Sequence, residues 1–108
     1  RWRVPEILPN GKRWMTLQTN RNWIVKFSPK AEKQFKALDS AVQQRIRRFF
    51  KERVCIRPDP QVLAEPLTGQ FSGLHRFRVG DYRLICTFEQ DVLVISVILL
   101  GHRKDIYH

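Results

Sequence analysis

From Trp23 onward the apolar positions first alternate, then fall into helical spacing, then alternate again. Trp23, Val25 and Phe27 alternate with Ile24 and Lys26, which predicts a strand. Ser28-Pro29 follows, a capping serine with proline at the first helical position. A helix to about Leu38 would bury Ala31, Phe35 and Leu38 at helical spacing. Asp39 or Ser40 caps a second helix from about Ala41 to Val54, with Val42, Ile46, Phe49, Phe50 and Val54 on its apolar face. Its polar face carries Arg45, Arg47, Arg48 and Lys51, and Arg57-Pro58-Asp59-Pro60 stops it.

The short link between the two helices implies an antiparallel helical hairpin. A helical turn is expected near Gln61–Ala64, and three strands then read at about Leu74–Val79, Tyr82–Glu89 and Val92–Leu100. Gly80-Asp81 and Glu89-Gln90-Asp91 are the turns between them. The order β-α-α-β-β-β predicts an α+β two-layer domain, an antiparallel sheet packed on a helical hairpin, over residues 23–108. Residues 1–22 differ: they hold Pro5, Pro9 and the turn signal Asn10-Gly11 between Trp2 and Trp14. We expect an N-terminal extension there, a short arm or hairpin packing on the domain. Met15, the only methionine, is a candidate biological start.

Composition narrows the partner. Twenty Lys and Arg against ten acids give +10 at neutral pH, spread along the chain rather than gathered in one tail. That favours a charged folded surface and a polyanionic partner: RNA, DNA, the ribosome, an acidic protein or, less often, an anionic membrane surface. The longest apolar run, Val92 to Leu100, is too short to span a bilayer, and the N-terminus lacks the apolar stretch of a signal peptide. Cys55 and Cys86 have no paired spacing and sit in apolar contexts, so buried thiols in a reducing cytoplasm are expected. Three histidines without clustered carboxylates or thiolates fall short of a metal-ligand set, and no cofactor is expected. There is neither a Gly-rich phosphate loop nor a serine-nucleophile motif.

Candidate chemistry concentrates in the last third. Arg76 and Arg78, two apart on a strand, share a face, and the Gly80-Asp81 turn returns Arg83 beside them. The strand ending near Leu100 would deliver His102, Arg103, Lys104 and Tyr107 to the same edge. Planar guanidinium forks suit phosphate oxygens, so this cluster predicts a phosphate-rich substrate. Arg45 and Arg48 offer an RNA-facing or solvated helix surface.

With those residues in view, the chain resembles the RelE/ParE superfamily of toxins from toxin–antitoxin systems, and within it the RelE-type messenger-RNA interferases. The resemblance is carried by Phe27-Ser28-Pro29-Lys30-Ala31, Pro66-Leu67-Thr68-Gly69, the run from His75 to Leu84, and Gly101-His102-Arg103-Lys104-Asp105-Ile106-Tyr107. It covers about Trp23 to Tyr107, and residues 1–22 have no counterpart in it. It implies a microbial-ribonuclease-like fold and a cytoplasmic toxin whose partners are a cognate antitoxin protein, the ribosome and messenger RNA. The implied reaction is metal-independent cleavage through the 2′-hydroxyl next to the scissile phosphate.

Position by position, the family's basic strand pair falls on Arg76 and Arg78, commonly lysines in relatives. Its transition-state arginines fall on Arg83 and Arg103, and its C-terminal tyrosine on Tyr107. A phenol titrates near pH 10 unless cations lower it, so His102 and His108 compete with Tyr107 for the proton-transfer roles. His75 is the weakest candidate histidine, and Tyr82 is expected to pack. A ParE-like DNA gyrase inhibitor and a non-catalytic RNA- or ribosome-binding module are the alternative functions.

Overall fold

The architecture follows from how β-strands on either side of a helical hairpin find one another, as seen in a computed structural model that describes residues 6–7, 13–17 and 23–106. The strands are β1 (Glu6–Ile7), β2 (Arg13–Leu17), β3 (Ile24–Phe27), β4 (Glu65–Pro66), β5 (His75–Val79), β6 (Tyr82–Glu89) and β7 (Val94–His102). Helices α1 (Pro29–Lys36) and α2 (Ser40–Phe49) lie between β3 and β4. Among the described residues the strands form one sheet in the order β1-β2-β3-β7-β6-β5-β4. The expected α+β two-layer arrangement is present, with one difference in the sheet. β3 pairs with β7 in parallel, Ile24 to Val94 through Phe27 to Val97, and every other neighbouring pair is antiparallel. The chain leaves β3 into the helices and comes back through the β5–β6–β7 meander, whose last strand runs in the same sense as β3.

Local chemistry fixes the element ends. Ser28 caps α1, accepting from the Ala31 N–H at 3.1 Å. Asp39 occupies the N-cap position of α2 without a side-chain capping bond. The second helix does not run regularly to Val54: residues Phe50–Val54 form a π-helical turn, closed by the Cys55 N–H donating to the Phe50 carbonyl at 2.8 Å. This wider turn leaves Phe50, Val54 and Cys55 buried together. The last strand starts two residues later than its apolar run suggests. Leu93 adopts a positive φ of 54° in the β6–β7 turn, where it and Val92 are exposed. A short 3₁₀ turn, Pro60–Leu63, stands where a helical turn was expected.

The core lies between the helices and one face of the sheet. Phe27, Phe35, Phe50 and Phe77 are fully buried and meet edge to face, Phe27 and Phe35 with ring centres 5.3 Å apart. Met15 and Leu17 of β2 belong to this core, while the Asn10-Gly11 turn lies outside the described residues. Arg47, expected on the solvated face of α2, is instead half-buried with its guanidinium 5.8 Å from the centre of the Phe35 ring. No helix among the described residues is long and apolar enough to cross a membrane.

β7 outlasts β3, and its exposed backbone is satisfied from α1. β3 ends opposite Val97; beyond it a bulge at Ile98 breaks the β6–β7 register. There Ser28 Oγ donates to the Ile98 carbonyl at 3.1 Å, and Gln34 Oε1 accepts the Leu100 N–H at 2.8 Å. The end of β7, which carries His102 and leads into Arg103, is thereby tied to the first helix.

A candidate polyanion site at the arginine corner

The β5–β6 hairpin turn is the meeting point of most of the chemistry expected from the sequence. Along β5 and β6, Phe77, Val79 and Leu84 are buried, and Arg76, Arg78 and Arg83 occupy the alternate positions. Arg78 lies directly across the ladder from Arg83. Gly80 makes the turn at φ +60°, a conformation that costs glycine little. Arg83 Nη1 donates to the Gly80 carbonyl at 3.1 Å and to the Tyr82 carbonyl at 3.3 Å. Arg45 reaches the same glycine from α2: a methyl group at Gly80 would lie 2.9 Å from Arg45 Nη1.

The chain's last described turn completes the corner. The Arg103 N–H donates to the Asp81 carbonyl at 2.8 Å, and Arg103 Nε stands 3.9 Å from Asp81 Oδ1. The Arg103 side chain is otherwise open, with 57% of its surface exposed. His102 packs edge-on against Tyr82, ring centres 5.6 Å apart. Its Nδ1 accepts the Lys104 N–H at 3.2 Å, which in the neutral ring leaves the hydrogen on Nε2. Arg45, Arg78, Arg83, His102 and Arg103 thus converge on one turn, with Lys104 exposed in the adjoining one.

Arg48 adjoins them through a groove of about 230 Å³ between α2 and β5 that it shares with Arg45, Glu52, Arg53, Arg78 and Gly80. Not every candidate does. His75 stands at the far end of β5, its ring against Phe88 at 5.1 Å. Tyr82 packs, as expected, against His102. Tyr107 and His108 lie outside the described residues.

Three residues that sequence reasoning passed over shape the site. Asp81 faces Arg103, and Arg53 lines the groove. Glu65 on the edge strand β4 receives both strand arginines on one oxygen, Arg76 Nη2 at 3.0 Å and Arg78 Nη2 at 2.9 Å. Hydrogen bonding from Arg76, aided by the charges of Arg76 and Arg78, holds the Glu65 carboxyl below its ordinary range against an opposing desolvation. Asp81, standing between Arg78 and Arg83, carried a signal in the sequence; Glu65, with no Lys or Arg between Arg57 and Arg76, carried none. Among the described residues no group of three His, Cys, Asp or Glu side chains is gathered to hold a metal ion. Cys86 is buried, which pushes its thiol far above the usual range, and no disulfide joins it to Cys55.

A mixed sheet on a helical hairpin, with an arginine-rich corner where β6 meets the end of β7, defines a small α+β domain. Two solved structures it is similar to are toxin–antitoxin complexes. With the RelBE2 complex of Mycobacterium tuberculosis it shares a TM-score of 0.65 at 20% identity, over 73% of this chain and 95% of that one. With the archaeal RelE–RelB complex of Pyrococcus horikoshii the TM-score is 0.53 at 26% identity, over 82% of this chain and 99% of that one. No curated protein matches the sequence. Residues 25–107 match the model of the ParE toxin of type II toxin–antitoxin systems, and the chain belongs to that family, within the RelE/ParE superfamily.

Proposed function

We propose that this toxin is a RelE-type, ribosome-dependent messenger-RNA endonuclease, neutralised by a cognate antitoxin protein. The observation that carries the reading is the anchoring of Arg83 and Arg103 to a single turn, Arg83 through the Gly80 carbonyl and Arg103 through the Asp81 carbonyl. The Arg83 guanidinium is held at the turn, and Arg103 is fixed beside it by its main-chain N–H with its side chain open. Both guanidinium groups can then reach one phosphate that gains negative charge in the transition state. Catalysis needs such placement more than it needs raw affinity.

In the proposed reaction the 2′-oxygen of the RNA attacks the adjacent phosphorus while its proton passes to a base. The bond from phosphorus to the 5′-oxygen breaks, an acid protonates that oxygen, and a cyclic phosphate and a 5′-hydroxyl result. Arg83 and Arg103 hold the phosphorane oxygens. His102 Nε2, Tyr107 and His108 are the proton-transfer candidates on this chain. Arg76, Arg78, Arg45, Arg48 and Lys104 align the RNA backbone, with the ribosome supplying the rest of the substrate geometry.

Membership of the ParE family supports a second reading, inhibition of DNA gyrase without any RNA chemistry. Purified toxin added to a translating extract and, separately, to a gyrase supercoiling reaction separates the two. The interferase reading expects truncated messages and intact supercoiling; intact messages with blocked supercoiling would transfer the assignment to gyrase.

A further inference from the structure

Arg76 and Arg78 are not a vacant clamp. One carboxylate oxygen of Glu65 accepts from Nη2 of both, at 3.0 and 2.9 Å, the charge-assisted contact that a phosphate oxygen would make with the same two guanidinium groups. The three side chains line a groove of about 220 Å³ with Phe49, Arg53 and Leu63, so a third guanidinium borders the space the carboxylate occupies. The occupant is lightly held. Half of the Glu65 side-chain surface is exposed. Its strand has two residues, paired through Glu65 with Arg76 and Pro66 with His75, and Pro66 has no N–H to give. Glu65 can therefore leave without disturbing the core.

We infer that Glu65 is a built-in occupant of a phosphate subsite formed by Arg76 and Arg78, and that it sets the affinity of this subsite by competing with a phosphate of the incoming chain. The ligand class is a phosphodiester or phosphoanhydride chain, and only its naming as RNA rests on the function proposed above. With Glu65 in place the pair presents one net positive charge. Once a phosphate displaces it, two guanidinium groups face the ligand, and the freed carboxylate returns to water. The competition makes the subsite selective for chains that bring several phosphates at once, since a single small anion gains little over the resident carboxylate.

Binding of a fluorescein-labelled 2′-O-methyl oligoribonucleotide, which cannot be cleaved through its 2′-oxygen, tests this by anisotropy. Inorganic polyphosphate is the competitor, and wild type is compared with Glu65→Gln. The variant is expected to bind the oligonucleotide, the polyphosphate or both at least about threefold more tightly, with a log–log salt slope steeper by about 0.7, one further phosphate contact. Equal or weaker binding of both by a Glu65→Gln protein that keeps a cooperative melting transition would overturn the inference, because Glu65 would then only buttress the arginines. If that variant loses its melting transition, the Glu65 carboxyl carbon resonance of the wild type decides during polyphosphate titration. A shift on binding supports displacement; a fixed resonance with polyphosphate bound, or no binding of either chain, refutes it. Tighter polyphosphate binding without oligonucleotide binding upholds the subsite and counts against RNA as its ligand.

Discussion

Gly80 and Glu65 show how single residues set the corner. Gly80 has a left-handed φ and a would-be methyl position 2.9 Å from Arg45 Nη1. Gly80→Ala is expected to lower stability by about 1–2 kcal/mol from the backbone conformation alone, while Arg45, a flexible side chain, can shift aside. Gly80→Asn should cost less, because asparagine tolerates that conformation. Urea unfolding checks both, and an unchanged midpoint for the alanine variant would contradict the assignment. Glu65 adds a pH signature. Its folded-state carboxyl titrates below its ordinary value of 4.5, so its stabilising contribution is present above that value and lost as pH falls through the lowered folded one. Glu65→Gln should lower the melting temperature at neutral pH, match the wild type in acid, and so flatten the fall through that acid window. A Gln variant with the full wild-type acid dependence would contradict this. The placement of Arg83 and Arg103 at one corner was legible because a turn signal and strand period set it locally. Glu65 was not, since its partners lie 11 and 13 positions away across an edge of two residues.

At the scale of elements, the hairpins and helices could be read because their signals are short-range: Ser28-Pro29 at one boundary, Gly80-Asp81 at another, and helical spacing across α1 and α2. The parallel pairing of β3 with β7 has no such signal, for it joins residues 24–27 to residues 94–97. The π-helical turn after α2 was equally hidden, because Phe49, Phe50 and Val54 suit the apolar face of an ordinary helix as well. The same long-range contact makes α1 responsible for the end of β7. Gln34→Ala removes the acceptor of the partly buried Leu100 N–H and should cost about 1–3 kcal/mol. Hydrogen exchange should quicken at Leu100 and toward Arg103 while amides in β5 keep their protection. Unchanged exchange at Leu100 would mean that the Gln34 bond does not hold the strand end.

Across the whole molecule, a net charge of +10 and an arginine corner at one end of the sheet agree with a protein built to meet a polyanion. The core is conventional by comparison: a cluster of edge-to-face phenylalanines between hairpin and sheet supports a fold that the RelE-containing complexes share. The proposed function therefore rests on what the corner does to a phosphate. Primer-extension mapping of messenger RNA in a translating extract, wild type against the Arg83→Ala, Arg103→Ala double variant, tests this most directly. New 5′ ends within ribosome-bound codons, reduced at least about 100-fold in a double variant that still folds, are the predicted result. Intact messages with the wild-type protein, or cleavage undiminished in the folded double variant, would contradict it.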